Sequence, residues 1–302
     1  MSNPPGYDSL RARLAADAAF LPDKPEETPD STLRALWHLA AGTPASAERA
    51  MTLDLPALDA TQLATLEQFV ERRLGGAPLA HITQRQRFMG LEMLAGSAAL
   101  VPRRETELLA HTAITCAEHI AGRAGQYTVV DICTGSGNVA LALANALPSA
   151  KVFGSDLSAE AVELAQRNAE HLQLSNRAQF RIGDLLQPFE NEQFLRKVDV
   201  LTCNPPYINS AGVARMATEI SSHEPRLAFD GGPLGISILM RLLSQAPQFV
   251  RPGGWLAFEV GLGQGPALMK RMQANAAFQA VTPAHDAAGA IRVLSAMLID
   301  HR

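Results

Sequence analysis

The most constraining feature of this 302-residue chain is a strict alternation of strand-like and helix-like segments after Gly125. Strands that alternate with helices of this length form a parallel, doubly wound sheet, so an α/β fold is expected. The strand-like runs are Thr128–Ile132, Lys151–Asp156, Gln179–Ile182, Val198–Cys203 and Trp255–Val260, and the helical ones lie near 138–147, 158–172, 235–249 and 264–274. A last pair of strands, near Gln279–Thr282 and Ile291–Ile299, has no helix between its members and predicts an antiparallel edge.

The first hundred residues show helical periodicity and predict a small helical bundle. One helix is predicted on the face shared by Leu10, Leu14, Ala18 and Leu21, and two more over Thr32–Ala41 and Thr61–Leu74. Short apolar stretches around Gly90 predict a β-hairpin within Arg87–Val101, followed by a helix from Glu105 to about Ala121. We therefore expect a helical domain over residues 1–85, a connecting hairpin over 86–104 and a sheet domain over 105–302.

Composition narrows the classes of partner. The chain has 26 Lys and Arg against 30 Asp and Glu, whereas proteins that bind nucleic acid usually carry a basic surplus, so DNA is not the expected partner. Cys116, Cys133 and Cys203 lack the CxxC spacing of a zinc site or a disulfide framework, which predicts a reduced, cytoplasmic chain. The histidines lack metal-binding spacing, so no metal is expected. No apolar run approaches the roughly 20 residues that span a bilayer, so no membrane is expected either.

The first predicted strand of the sheet runs into a glycine turn, DICTGSG at 131–137, and then into a helix. Glycines allow a tight turn and the close approach of a ligand, and free N–H groups at a helix start favour negative or polar groups. The glycine patterns of dinucleotide-binding turns and of P-loops are both absent, which disfavours those ligands. A nucleoside site and a purely structural turn both remain open.

An acidic residue, Asp156, ends the next predicted strand, nineteen residues after Gly137. A carboxylate at this place can accept hydrogen bonds from both hydroxyls of a ribose. It can instead cap the following helix, as Ser158 also can, and both roles can coexist.

The sharpest motif, Asn204-Pro205-Pro206-Tyr207, directly follows the apolar strand Val198–Cys203. The prolines hold the backbone extended, so the Asn204 side chain and the Pro205 carbonyl can both accept hydrogen bonds from one NH2 group. Tyr207 can pack against a flat substrate group. A side-chain amide and the exocyclic amine of adenine both present such an NH2 group.

In this order the three motifs resemble class I S-adenosylmethionine (SAM) methyltransferases of the NPPY type. Three further segments resemble the HemK/PrmC family of protein glutamine N5-methyltransferases: Pro78–Thr83, Val101–Leu108 and His223–Ala228. The resemblance implies a Rossmann-like, mostly parallel seven-stranded sheet with an antiparallel edge, preceded by a small helical domain and a hairpin. It also implies a monomeric enzyme that converts SAM to S-adenosylhomocysteine while methylating a glutamine of a translation protein.

The same resemblance assigns roles to individual residues. The catalytic set is Asn204, Pro205 and Tyr207, and the substrate-binding set is Asn204, Pro205, Pro206, Tyr207, Phe88 and Arg103. Around the methionine part of SAM it places Asp131, Thr134, Gly135 and Gly137, with Cys133, Ser136 and Asn204 completing the cofactor-binding set. Asp156 is expected at the ribose, and Asp184 and Leu185 at the adenine, although Asp184 can instead cap a loop. His223 is expected in a loop near the substrate.

Two branches of the family match different parts of the sequence. The PRRETE segment at 102–107, Gly261–Gly265 and Asp286–Val293 resemble the branch that methylates the GGQ glutamine of peptide chain release factors, which is the expected activity. Cys133, where release-factor enzymes usually have glycine, and His223–Pro225 resemble the branch that acts on a large-subunit ribosomal protein. The sequence also permits an enzyme that methylates a small molecule or an adenine amine, and a SAM-binding protein without catalysis.

Six arginines lie within residues 72–104: Arg72, Arg73, Arg85, Arg87, Arg103 and Arg104. We expect them to form a solvated face with ion pairs to Glu71, Glu92 and Glu105. They could instead contact an acidic protein or ribosomal RNA.

Overall fold

The computed structural model describes residues 3–120, 126–208 and 235–299, together with residues 224, 225, 227 and 229. The chain divides into two compact units. Among the described residues, unit 1 holds the chain up to Ser97, Val101–Arg104 and Glu224, and unit 2 holds Ala98–Leu100 and every other residue from Glu105 onwards. The division of the chain into domains at residues 1–85, 86–104 and 105–302 stays a prediction.

Unit 1 contains five helices in its described part. They are α1 Tyr7–Asp17, α2 Pro29–Ala40, α3 Ala47–Ala50, α4 Ala60–Leu74 and α5 Leu79–Thr83. Helix α2 begins at a capping box in which the Thr28 side chain accepts from the Ser31 N–H and the Ser31 side chain accepts from the Thr28 N–H. The helices bury their apolar faces around the indole of Trp37, whose exposed fraction is 1%.

Helix α1 is shorter than its apolar spacing predicts. It ends at Asp17, and Ala18 leaves the helical region with a ψ of 141°. Pro22 follows shortly afterwards, and a proline disfavours helical backbone in the residue before it. The prediction that Ala18 and Leu21 continue the face of this helix is therefore wrong.

A two-stranded hairpin follows the helices, as the sequence predicts. Strands β1 Arg85–Phe88 and β2 Leu91–Leu94 pair antiparallel, with Phe88 opposite Leu91. The two turn residues, Met89 and Gly90, both have positive φ, at 50° and 79°. A two-residue turn with positive φ at both positions matches the twist of a hairpin, and glycine adopts that conformation without strain.

Unit 2 holds a seven-stranded sheet whose strand order is β5-β4-β3-β6-β7-β9-β8. Its strands are β3 Tyr127–Ile132, β4 Ala150–Asp156, β5 Ala178–Ile182, β6 Val198–Cys203, β7 Val250–Glu259, β8 Phe278–His285 and β9 Ile291–Leu298. The helices are α6 Glu107–Ile120, α7 Asn138–Ala146, α8 Ala159–His171, α9 Ser237–Phe249 and α10 Gly265–Gln273. Strands β3 to β7 are parallel, whereas β9 runs antiparallel between β7 and β8. The expected α/β fold with an antiparallel edge is confirmed.

The register of the sheet places three strand ends side by side. Ile132 at the end of β3 pairs with Cys203 at the end of β6 and with Ser155 near the end of β4. The residues that follow these ends therefore emerge together at the carboxyl edge of the sheet, where ligands bind in open α/β folds. No helix in the described ranges is both long and apolar enough to cross a membrane.

Candidate active site

The turn between β3 and α7 needs left-handed backbone at three positions. The φ angles are 56° at Cys133, 53° at Gly135 and 80° at Gly137. A Cβ on Gly137 would lie 3.0 Å from Phe180 Cζ, so both the backbone angle and the close packing require glycine there. Cys133 adopts the same strained conformation with a side chain, which explains physically why glycine suits this position.

The Asp131 carboxylate lies beneath this turn and is 2% exposed. It accepts hydrogen bonds from the hydroxyls of Thr134 and Thr202, each at 2.6 Å. Burial raises the pKa of Asp131 to about 6, while the two hydroxyl hydrogen bonds act in the opposite direction. Because Thr202 belongs to β6, Asp131 ties the glycine turn to the neighbouring strand. A contact between Asp131 and the methionine part of SAM stays a prediction.

Asp156 ends β4 and also holds the turn. Its Oδ2 accepts from the backbone N–H of Gly135 at 2.9 Å, and its Oδ1 accepts from that of Ser158 at 3.0 Å. Ser158 is the residue that caps α8, accepting from the Ala161 N–H at 3.1 Å. Burial raises the pKa of Asp156, and the backbone hydrogen bonds oppose this. Each carboxylate oxygen keeps a lone pair that can accept a hydrogen bond from a ligand hydroxyl.

Two residues predicted at the adenine follow β5. Asp184 accepts from Arg241 Nη2 at 2.6 Å, in a pair whose side chains are 46% and 47% exposed. Leu185 has a φ of 51°, and its buried side chain belongs to the core of unit 2. Its carbonyl accepts from the Ser155 hydroxyl at 2.7 Å, which fixes the loop against β4. The roles of both residues at the adenine stay predictions.

Asn204 and the prolines leave the end of β6 next to the glycine turn. The half-buried Asn204 donates from Nδ2 to Thr106 Oγ1 at 3.2 Å. Among the described residues none donates to its Oδ1, which is left as a hydrogen-bond acceptor. Pro205 is buried, and Pro206 is half-buried.

The Tyr207 hydroxyl hydrogen-bonds charged residues. Its hydroxyl donates to Glu259 Oε1 at 3.0 Å and accepts from Arg292 Nη2 at 3.4 Å, and that guanidinium pairs with Glu105 at 3.1 Å. Burial raises the pKa of Tyr207 well above its usual value. It also raises the pKa of Glu259 to about 7, with the nearby Glu105 charge acting in the same direction.

Sequence reasoning gave no role to Thr106, Glu259 or Arg292. Thr106 and Arg292 lie in segments that resemble the release-factor branch, so a signal was present there. For Glu259 the signal was a carboxylate that directly follows the apolar run Trp255–Phe258.

Two residues predicted to bind the substrate, Phe88 and Arg103, belong to unit 1. Phe88 is fully buried in β1. Arg103 is 6% exposed and pairs with Glu224 at 2.6 Å and with Asp23 at 3.3 Å. His223, predicted near the substrate, lies outside the described residues.

The predicted ion pairs of the arginine cluster are wrong. Glu71 pairs with Arg13, Glu92 accepts from the Ser46 N–H and hydroxyl, and Glu105 pairs with Arg292. Arg73, one of the six, is 1% exposed and pairs with the buried Glu27. The carboxylates take partners from other elements of the fold, which proximity along the chain cannot reveal.

The described part of the chain offers neither a reactive cysteine nor a group of metal ligands at this site. Burial raises the pKa of the Cys203 thiol well above its usual value, with the neighbouring Cys133 thiol adding to the effect. A thiol with a raised pKa is a poor nucleophile. Within the described part of the chain, no group of histidine, cysteine and acidic residues is arranged to hold a metal ion.

The chain is similar to known methyltransferases in sequence and in fold. The model of a methyltransferase domain matches residues 124–260. A release factor glutamine methyltransferase of Moorella thermoacetica is 39% identical over 212 residues, 70% of this chain and 72% of that protein. One of Geobacter sulfurreducens is 34% identical over 272 residues, 89% of this chain and 90% of that protein. A solved structure of human methyltransferase 10 domain containing protein is 17% identical, has a TM-score of 0.50 and covers 70% of this chain and 90% of its own. The expected methyltransferase fold is confirmed.

Proposed function

Because the chain belongs to the release factor glutamine methyltransferase family, we propose that it transfers a methyl group from SAM to the side-chain nitrogen of a glutamine in a peptide chain release factor. The observation that carries this proposal is the 34% identity to a family member over 89% of the chain, which spans the helical part as well as the sheet. The GGQ glutamine is the expected acceptor.

The residues at the carboxyl edge of the sheet fit SAM. A Cβ on Gly135 would meet only Ala99 Cβ, at 3.9 Å, so a ligand can approach the backbone of the turn closely. Asp156 keeps acceptor capacity for ribose hydroxyls while it holds that turn in place. When bound, SAM supplies an electrophilic methyl group on a sulfonium sulfur.

In this proposal Asn204 and Pro205 orient the acceptor amide. The nitrogen of a carboxamide is a weak nucleophile, because its lone pair is delocalised into the carbonyl. If Asn204 Oδ1 and the Pro205 carbonyl each accept one N–H of the amide, the nitrogen is held in line with the methyl group, and its lone pair is partly localised. Orientation of this kind in a site that excludes water supplies much of the acceleration of methyl transfer. The new N–C bond forms as the methyl–sulfur bond breaks, and the nitrogen releases one proton to solvent.

We assign the docking of the acceptor protein to the helical residues 1–85. The similarity to release factor glutamine methyltransferases extends over 89% of the chain, which supports a shared role for this part. Phe88 and Arg103 would then stabilise the segments to which they belong, because Phe88 is fully buried and Arg103 is ion-paired.

The proposal is tested by binding and by transfer. Isothermal titration calorimetry should detect SAM binding, and methyl-labelled SAM should label a release factor but not free ribosomal proteins. Complete absence of SAM binding contradicts the proposal, and label on a ribosomal protein alone moves the enzyme to the other branch of the family.

A further inference from the structure

The glutamine of the segment Gly261–Gly265 contacts the loop that follows β6. Its Nε2 donates to the Tyr207 carbonyl at 3.0 Å and to the Gly235 carbonyl at 3.3 Å. Its Oε1 accepts from the backbone N–H of Gly261 at 2.9 Å. The side chain of Gln264 thus hydrogen-bonds three backbone segments: the loop after β6, the residues just before α9 and the residues just after β7.

These three backbone groups require a donor and an acceptor on one side chain. A carboxamide carries both, whereas an ionised carboxylate only accepts and an ammonium group only donates. The contacts also fix the orientation of the Gln264 amide. With its oxygen facing the N–H of Gly261, its NH2 faces the carbonyls of Tyr207 and Gly235. The flipped amide would place its oxygen against both carbonyls.

Two glycines allow the backbone to approach this amide closely. A Cβ on Gly261 would lie 3.0 Å from Gln264 Oε1 and 3.0 Å from Tyr207 Cδ2. A Cβ on Gly235 would overlap the Tyr207 carbonyl oxygen. Gly261 is buried and Gln264 is half-buried. The close approach of the three segments therefore depends on small residues on both sides of the amide.

The Tyr207 carbonyl belongs to a peptide unit whose other polar group is also held. The N–H of Ile208 donates to the Phe229 carbonyl at 3.0 Å. At its other end the loop leaves Cys203, which pairs with a neighbouring strand on each side. Between these points the two prolines have φ restricted to about −65° by their rings. The direction of the Pro205 carbonyl therefore depends on where the Tyr207–Ile208 peptide is held.

We propose that Gln264 is a positioning residue whose side-chain amide holds the Tyr207–Ile208 peptide and thereby orients the loop that carries the expected acceptor oxygens. Those oxygens are Asn204 Oδ1 and the Pro205 carbonyl. The inference rests on the proposed function for its effect on methyl transfer, whereas the hydrogen bond itself can be measured without an acceptor protein. None of the hydrogen bonds that Gln264 makes with the described residues involves the glycine turn, so SAM binding should not depend on them.

The first test removes or changes the donor. Gln264→Leu has no donor and should lower kcat about 10- to 100-fold, with the SAM dissociation constant within about threefold of wild type. Gln264→Glu should lose kcat at pH 8, where the ionised carboxylate cannot donate to the Tyr207 carbonyl. As pH decreases to 6, a growing fraction of this variant carries a protonated acid that can donate. Its kcat should then recover, whereas that of Gln264→Leu should not.

Two controls isolate this effect. The charged groups at the hydroxyl end of Tyr207 are Glu105, Glu259 and Arg292. They are the same in wild type and variants, so dividing each kcat by the wild-type value at the same pH removes their effect on the profile. Gln273→Glu makes the same charge change at an exposed glutamine that ends α10, and it should keep wild-type kcat at both pH values.

A second readout needs no acceptor protein. Tyrosine followed by isoleucine occurs once in the chain, at Tyr207–Ile208. Protein labelled with carbonyl-13C tyrosine and 15N isoleucine therefore gives a single HNCO signal, which comes from the peptide that Gln264 holds. Because the carbonyl frequency depends on hydrogen bonding, the signal should shift in Gln264→Leu. In Gln264→Glu it should be shifted at pH 8 and return toward the wild-type position at pH 6.

The outcomes separate this inference from the proposed function. An unchanged HNCO signal or a wild-type kcat in Gln264→Leu overturns the inference. So does a loss of kcat in Gln264→Glu that does not recover at pH 6, or an equal loss in Gln273→Glu. If the HNCO signal shifts as expected but the wild-type protein methylates no glutamine, the proposed function alone is overturned.

Discussion

The Asp156 carboxylate accepts a hydrogen bond from the backbone N–H of Gly135 at 2.9 Å, across 21 residues of sequence. The contact joins the end of β4 to the glycine turn after β3. One acidic side chain thus holds the turn in its left-handed conformation and offers its remaining lone pairs to a ligand.

Asp156→Ala should weaken SAM binding by at least about 10-fold, because it removes both the expected ribose acceptor and the support of the turn. Titration calorimetry measures the effect. Glu160→Gln is the control, because Glu160 is exposed at the start of α8, the helix that follows Asp156. This variant should bind SAM as wild type does. Equal affinities for SAM in wild type and Asp156→Ala contradict the assignment.

Asn204→Ala should abolish turnover while SAM affinity stays close to that of wild type. The change removes the acceptor for the glutamine N–H, whereas the contacts of Asp156 and Gly135 are left intact. Single-turnover kinetics and calorimetry on the same preparation separate the two effects. A parallel loss of methyl transfer and of SAM binding would contradict the role given to Asn204.

Gly154→Ala should destabilise the fold by about 1–3 kcal/mol and weaken SAM binding. The added Cβ would lie 2.5 Å from Phe180 Cδ1 and 2.9 Å from Thr134 Oγ1. The Thr134 side chain, which joins the glycine turn to Asp131, must therefore move. Denaturant unfolding and calorimetry measure both effects. In the control Gly96→Ala the Cβ meets nothing within 4 Å, and a destabilisation as large as that of Gly154→Ala would count against this packing argument.

Asp131 should make the fold less stable as pH rises. Its pKa is raised from 3.8 to about 6, mainly by burial, so the folded chain binds this proton more tightly than the unfolded chain does. The stability due to the protonated carboxyl is fully present below about pH 3.8 and is lost as pH rises through about 6, a change of about 3 kcal/mol. The free energy of unfolding of wild type should therefore fall relative to that of Asp131→Asn over this range. A difference that does not change with pH would contradict the prediction.

The parallel sheet could be predicted because each strand is a local apolar run. Val198–Cys203 has the same bounds in sequence and structure, and the other strands of the parallel sheet agree at their carboxyl ends within a residue. β7 begins five residues earlier than predicted, at Val250. Pro252 and two glycines indicate a turn there, but a register shift between Val198 and Val200 of β6 accommodates them within the strand.

The contacts behind the candidate site could not be predicted from sequence. Asn204 contacts Thr106 across 98 residues of sequence, and Tyr207 contacts Glu259 across 52, and no local pattern records which strand ends and helix starts face each other. The motifs Asp131–Gly137 and Asn204–Tyr207 were recognisable because turn and loop chemistry is contained in consecutive residues. Their partners depend on the strand order, which only the folded sheet supplies.

The most direct test of the central claim is to locate the methyl group. A release factor incubated with the purified enzyme and methyl-labelled SAM would be digested and sequenced by peptide mass spectrometry, with the Asn204→Ala variant as the control. We predict a single added methyl group on the glutamine of the GGQ segment, and none with the variant. Label confined to another protein or another residue type, with SAM binding established, would contradict the account.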